Sequence, residues 1–497
     1  MSALGRRKFL LTAGAAAAAT VVMPSVSPLW RAVAQTSKPY RFPQDFFWGA
    51  ATAAAQCEGS PSADGGGDSI WDVFLRTPHA TKDGSNNLIA DDEYHRWPED
   101  IKLMREIGLN AYRFSISWPR VFPDGKSVNE KTLAYYSRLV DALLTAGITP
   151  FVTTYHFDYP EALQKLGGWL HPDSPEWLGH YAEVLSRRFS DRVEHWITIN
   201  EPNILWGFGN EAGLMPPGKK LPEADLVRGA HNILLGHGKA VQGIRAGARR
   251  PVQITLAFAG MFSLPATRSP EDVAAACAES FSVAKKQIIP NLPPMTMLSN
   301  AWWLDPIYVG SYPDDGVKLF PAAEKLAASA DMKTIHEPLD FCAVNLYSAP
   351  TVKASANGTA EAVPDPPDVK RSHYGWAITP DLLYWAPRFL FDRYKKPVAI
   401  TENGVSLDDK PSADGKVHDP DRTAFVDAYL KKLREASQDG VPLKGYFHWS
   451  LLDNFEWTSG FSERFGLIYV DYPTQKRILK DSAMRYSQII KSRGAAL

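Results

Sequence analysis

Eight short apolar runs, each separated from the next by a longer segment, most of these with a helical pattern, constrain this chain more than any other feature. The runs fall at residues 46–50, 111–115, 150–155, 193–199, 252–257, 341–346, 398–401 and 445–449. Helical periodicity fills most of the gaps between them, at 99–107, 130–146, 175–189, 226–245, 270–286, 377–394 and 423–437. Strand and helix alternating eight times predicts an α/β chain closed into a single (β/α)8 barrel of the TIM type. A doubly wound open sheet is the competing architecture. It would normally carry a Gly-rich phosphate loop after an early strand, and none is present. No low-complexity linker interrupts the pattern, so residues 35–497 read as one domain. Its excess over a minimal barrel lies in long βα loops, chiefly 59–92, 207–225 and the Pro-rich stretch 349–374.

Composition narrows the partners. The 497 residues are 22% charged with a net charge of −1, which leaves no electrostatic footprint for nucleic acid or an anionic membrane. The three cysteines, Cys57, Cys277 and Cys342, are odd in number and far apart. They imply neither a disulfide framework nor a metal site. With no nucleotide motif either, no cofactor is expected. The 15 tryptophans suit sugar binding, because pyranose C–H faces stack on indole, although a large aromatic core accounts for most of them.

The first 34 residues read as a targeting segment. Paired arginines at Arg6-Arg7 precede an Ala-rich apolar run, and Ala32-Val33-Ala34 offers small residues before Gln35. This is the pattern of a twin-arginine signal peptide, cleaved after Ala34, with periplasmic or secreted localisation as the expectation. An uncleaved N-terminal anchor is the alternative. The apolar run is short for a membrane span.

In a barrel the C-terminal ends of all strands meet at one mouth. Those ends carry or lead to Gln56 and Glu58, Arg113, His156 and Asp158, Asn200 and Glu201, Asn345 and Tyr347, Glu402, and Trp449 followed by Glu456 and Trp457. Polar, ionisable and aromatic groups thus converge on one cleft, the anatomy of a site for a polyhydroxylated ligand. Glu201 ends one β-branched run before a proline, and Glu402 ends another before Asn-Gly. Two such carboxylates facing each other from the fourth and seventh strands are what glycoside hydrolysis requires.

These residues sit in longer motifs: 42–59, Tyr112-Arg-Phe-Ser-Ile-Ser-Trp-Pro-Arg120, Thr198-Ile-Asn-Glu-Pro202, Thr401-Glu-Asn-Gly404 and Trp449-Ser-Leu-Leu-Asp-Asn-Phe-Glu-Trp457. With them the chain resembles the glycoside hydrolase family 1 β-glucosidases from about residue 42 to 471. The resemblance implies a retaining β-glycosidase acting on small β-glycosides or short oligosaccharides. It implies Glu402 as nucleophile, stabilised by Arg113 and Tyr347, and Glu201 as acid and base. Asn200 would bind the sugar 2-hydroxyl, with Asn345 beside it. Gln56, His156, Trp449, Glu456 and Trp457 would line the glycone pocket, and Trp376 would form the leaving-group platform.

The resemblance also locates departures. Phosphoglycosidases of the family lack the acid at Glu456 and carry a phosphate-binding Tyr near Phe465, so a non-phosphorylated sugar is expected. Phe157 stands where the family usually has Trp. It keeps the apolar wall, loses an N–H donor toward the sugar 3-hydroxyl, and is expected to relax the preference for glucose. Asp92-Glu93 replaces the commoner Asp-His. Transglycosylation, or action on β-galactosides or β-fucosides, uses the same residues and stays open at this stage, as does a silent carbohydrate-binding barrel.

Overall fold

The computed structural model describes residues 40–285 and 294–497. The expected signal segment, 1–34, lies outside the described residues. Eight strands form a closed parallel barrel: β1 (Phe47–Ala51), β2 (Ala111–Ser115), β3 (Thr149–Tyr155), β4 (His195–Asn200), β5 (Gln253–Ala259), β6 (Cys342–Asn345), β7 (Val398–Asn403) and β8 (Leu443–Trp449). Each pairs with its sequence neighbours, and β1 closes the ring against both β2 and β8. All eight coincide with the apolar runs to within a few residues. Strands buried on both faces need continuous hydrophobic sequence, and that is what the runs supply.

Aromatic rings fill the lower barrel interior. Phe151 stacks on His195 with centroids 4.2 Å apart, and Phe47 and Phe447 pack edge-on against Phe151 at 4.9 and 4.8 Å. Small residues on the facing strands, among them Ala51, Ala111, Ala257, Ala343 and Ala399, leave room for these rings. Burying each ring stabilises the fold by roughly 1.5–3 kcal/mol. The plug confines the cleft to the other end, where the strands terminate.

The helices α1 (Glu93–Ile107), α2 (Glu130–Thr145), α3 (Ser174–Phe189), α4 (Glu223–Gly247), α5 (Pro270–Phe281), α6 (Asn300–Tyr308), α7 (Leu382–Tyr394), α8 (Pro420–Gln438) and α9 (Asp481–Ser492) wrap the barrel. The longest, α4, lies close on α3: a Cβ at Gly243 would run into the Gly179 carbonyl oxygen.

Several boundaries differ from the periodicity. Helix α1 begins six residues early and runs through Pro98, because Glu93 and Tyr94 are themselves buried and anchor its first turn. Helix α7 begins at Leu382 rather than 377, since Pro380 holds the residue before it out of the helical region. Helix α6 is unexpected: eight of its nine residues are buried, so it shows no amphipathic stripe. The stretch 349–374, read as a loop, contains an antiparallel hairpin, Thr351–Ala354 with Ala360–Val363, extended by Leu264–Pro265.

Candidate active site

Two of the strand ends are irregular where chemistry is expected. The β4–β5 register shifts before Asn200, and the β6–β7 register shifts before Glu402, which then lies opposite Asn345. Such shifts re-aim side chains at the rim of a barrel. Glu201 follows β4 in the left-handed region, at φ 45° and ψ 59°, directly before Pro202. That conformation costs on the order of 1–3 kcal/mol for a residue with a Cβ. It is held by the Glu201 N–H donating to the Ala257 carbonyl (2.8 Å), while Pro202 opens a helical turn. At the end of β7, a Cβ on Gly404 would collide with the Trp449 carbonyl oxygen, so glycine there lets β7 and β8 close together above the site.

Glu402 is buried and held from both oxygens. Arg113 Nη1 donates to Oε1 at 2.5 Å, and the Tyr347 hydroxyl donates to Oε2 at 2.7 Å. Arg113, fully buried on β2, also donates to Asn200 Oδ1 (2.6 Å) and to Thr153 Oγ1 (3.2 Å). Among the described residues Glu201 has no cation in contact. Its partner is an amide, Asn345 Nδ2, donating to Oε1 at 2.8 Å. The same amide reaches Asn200 Oδ1 at 3.1 Å, and Thr401 donates to Asn345 Oδ1 at 2.7 Å, which fixes the orientation of Asn345.

These settings separate the two acids. Burial, and then the Glu402 charge, push Glu201 up to about 8. Burial also raises Glu402, but Arg113 and Tyr347 pull it back toward the ionised form. One proton shared between the two therefore resides on Glu201 at neutral pH.

The remaining cleft residues form two groups that meet along the chain at Glu456-Trp457. Asn200 Oδ1 is taken by Arg113 and Asn345, so its Nδ2 is the group that donates to His156 Nε2 at 2.9 Å. His156 then carries its proton on Nδ1. Burial and the nearby Arg113 hold the ring well below its ordinary pKa, hence neutral. The imidazole lies nearly parallel to Trp449 and Trp457, at 6.0 and 6.2 Å between centroids. Phe157 packs on Trp457 at 5.0 Å. Gln56 Nε2 donates to the Phe455 carbonyl (2.9 Å) and to Glu456 Oε2 (3.3 Å). Gln56 Oε1 and His156 Nδ1, an acceptor and a donor, are buried without a partner among the described residues. Trp376 is half-buried and contacts Tyr347 at 5.5 Å. Phe465 packs against both.

Of the thirteen residues expected at the strand ends or just beyond them, nine join one network with Trp376, and Gln56 with Glu456 form a second pair that meets it along the chain at Glu456-Trp457. Glu58 and Asp158 join neither. Glu58 pairs with Arg120 at 2.8 Å and accepts from the Tyr136 hydroxyl at 2.6 Å, and with Asp158 it lines a separate small cavity beside Ser69 and Ser117. Thr153 and Thr401 were missed as supports. Their signal was a hydroxyl inside a buried strand, which must find a partner. Among the described residues no cluster of His, Cys, Asp and Glu is arranged to hold a metal ion, and no helix is long and apolar enough to cross a membrane.

Known proteins resemble this chain over most of its length. Residues 38–495 match the profile of Glycosyl hydrolase family 1 (Glyco_hydro_1). Beta-glucosidase A of Thermotoga maritima is 43% identical over 461 residues, 91% of this chain and 98% of the relative. A bifunctional beta-D-glucosidase/beta-D-fucosidase of Bifidobacterium breve is 37% identical over 489 residues, covering 91% and 99%. The solved structure of the Thermotoga maritima beta-glucosidase in complex with glucoimidazole superposes with a TM-score of 0.82 at 41% identity, covering 91% of this chain and 99% of that one. The chain belongs to glycosyl hydrolase family 1, as a glycoside hydrolase of the β-glucosidase type.

Proposed function

We propose that the protein hydrolyses terminal non-reducing β-D-glucosyl residues, with retention, through a covalent glycosyl-enzyme. Glu402 attacks the anomeric carbon as Glu201 gives its proton to the departing glycosidic oxygen. The C1–O bond to the aglycone breaks, and an ester to Glu402 forms. Water then attacks C1, Glu201 takes its proton, and the ester bond breaks. Two inversions leave the configuration unchanged. The observation that carries this reading is the unequal setting of the two carboxylates: Glu402 sits on a guanidinium and a phenol, and Glu201 on a single amide.

The glycone roles follow the wall. Asn200 takes the 2-hydroxyl, a contact that strengthens as positive charge develops at C1. Gln56, His156 and Glu456 grip the outer hydroxyls, and Trp449 and Trp457 supply the apolar face. Glu456 disfavours a 6-phosphate. A broadened glycone preference is a second reading, and a specific observation favours it: Phe157 lies on Trp457 with no N–H to offer a sugar, and one relative named above is a glucosidase/fucosidase. The Arg6-Arg7 segment supports twin-arginine export to the periplasm or beyond, which N-terminal sequencing of the mature protein tests.

The test is the initial rate on aryl β-glucoside, β-galactoside, β-fucoside and β-glucoside 6-phosphate. Activity on glucoside, with fucoside or galactoside close behind and none on the phosphate, is the expected result. Activity confined to the phosphate overturns the reading of Glu456.

A further inference from the structure

Trp376 stands on a loop rather than at a strand end, and something must fix the plane of its half-exposed indole. Its neighbour across Gly375 does so. The Tyr374 and Trp376 rings are stacked, with centroids 4.7 Å apart and planes within 4°. Gly375, at φ 86°, makes the turn that returns both rings to the same side. The turn is closed by Gly375 N–H donating to the Ser372 carbonyl (2.8 Å) and Ser372 N–H donating to the Trp376 carbonyl (2.9 Å).

Tyr374 is itself pinned at two points. Its backbone N–H donates to Ser406 Oγ at 3.1 Å, just beyond the Glu402 strand end. Its hydroxyl is 2.6 Å from Ser459 Oγ, in the turn that follows Glu456 and Trp457. One tyrosine therefore ties the Trp376 loop to the segments that carry both the candidate nucleophile and the glycone wall.

We infer that Tyr374 is a positioning residue for the leaving group: it fixes the Trp376 indole as a platform, so that β-glycosides whose aglycone is a ring, aryl or pyranose, are favoured over those with a small alkyl aglycone. This rests on the β-glycosidase reading above. Tyr374 touches no reacting atom. It acts through Trp376, and Trp376 in turn contacts Tyr347, the phenol that donates to Glu402.

The experiment compares kcat and KM of wild type, Tyr374→Ala, Tyr374→Phe and Ser459→Ala on 4-nitrophenyl β-D-glucoside, cellobiose and methyl β-D-glucoside. Loss of an aromatic stack corresponds to between about twofold and about tenfold. Tyr374→Ala is expected to lower kcat/KM by that factor on the two ring aglycones, mainly through KM for cellobiose. Methyl glucoside should stay within about twofold of wild type on the same scale. Tyr374→Phe keeps the stack and should fall between, as should Ser459→Ala, which frees the pin. Tyr374→Leu, which fills space without stacking, repeats the test if the alanine variant does not fold. Equal losses on all three substrates, or none on any, overturn the inference while leaving the β-glycosidase reading intact. A wild type inactive on all three overturns both.

Discussion

Arg113 reaches from the middle of β2 to Glu402 near the end of β7, three strands round the barrel, and ends 2.5 Å from its carboxylate. Both side chains are almost wholly buried. A buried carboxylate without that cation would take up a proton and cease to be a nucleophile. Among the described residues Glu201 has no such partner, and the asymmetry supports the proposed roles.

Stereochemistry checks that assignment. Glu402→Ala is expected to lower turnover by several orders of magnitude, and azide or formate in the vacated space should restore part of it with inverted configuration at C1. Glu201→Ala keeps the nucleophile, so azide should intercept the glycosyl-enzyme and give product of retained configuration. The anomer of the glycosyl azide, read by NMR, decides. Interchanged anomers would reverse the two roles.

The pH profile should carry the proton on Glu201. The first step needs Glu201 protonated and Glu402 ionised, so kcat/KM is expected to fall as pH rises past about 8. Glu456 is also pushed up to about 8, by burial and then by the Glu402 charge, so it can contribute to the same limb. Glu201→Gln separates them on 2,4-dinitrophenyl glucoside, whose leaving group needs no proton. The alkaline limb should flatten in that variant, and an unchanged limb would assign it to Glu456. Once the ester forms, the Glu402 charge is gone. Glu201 then loses its proton more readily and acts as a base, so where glycosyl-enzyme accumulates kcat should lose the Glu201 alkaline limb and rise with pH through an acid limb set at lower pH.

Below the site, Lys480 is fully buried between Asp409 (2.6 Å) and Asp453 (2.7 Å), and Arg422 pairs with Asp409 and Asp419 at 2.6 and 2.8 Å. Asp453 lies in the segment linking Trp449 to Glu456, so the network anchors the glycone wall from behind. Lys480→Met would leave two carboxylates facing one fewer cation in a dry interior. A loss on the order of 3 kcal/mol is expected, measured as the urea midpoint, because removing one partner of a buried pair strands the other. Wild-type stability in that variant would mean that Arg422 on Asp409, and Arg464, whose Nη1 lies 2.7 Å from Asp453 Oδ2, suffice.

How far this was legible in the sequence varied by residue. The strands showed as β-branched runs because both faces of each strand are buried. Glu201 and Glu402 showed because a strand ending on Glu before Pro or Asn-Gly has few other uses. Glu58 and Asp158 misled, since each lies two residues beyond a residue that the cleft contacts include, and the chain turns between them. Gln56 and Glu58 sit on one helical turn, and Phe157, at φ 71°, swings Asp158 away from His156. Trp376 was visible only through resemblance, because its loop has no strand end to locate it. The Tyr374 stack was not visible at all, since nothing local marks two rings in a turn as coplanar.

The departure at Glu93 has a structural meaning that can be measured. Its carboxylate is buried and accepts from the Tyr112 hydroxyl at 2.6 Å and from Cys57 Sγ at 2.7 Å. Cys57 follows Gln56 on the same turn, so Glu93 supports the glycone wall through an acceptor. Burial, and then the Asp100 charge, push it up to about 7 from an ordinary 4.5. Below pH 4.5 folded and unfolded chains both hold the proton, and the carboxyl costs nothing. Between 4.5 and 7 the unfolded chain releases it and the folded one keeps it, so stability falls as pH rises. Above 7 the full cost remains, about 3 kcal/mol for a shift of this size. Glu93→Gln cannot titrate. Wild type should therefore lose on the order of 3 kcal/mol more than Glu93→Gln between pH 5 and pH 8, from paired urea titrations. Identical pH dependence in the two proteins would mean that Glu93 is ionised throughout, and that its support of Gln56 is that of a carboxylate rather than an acid.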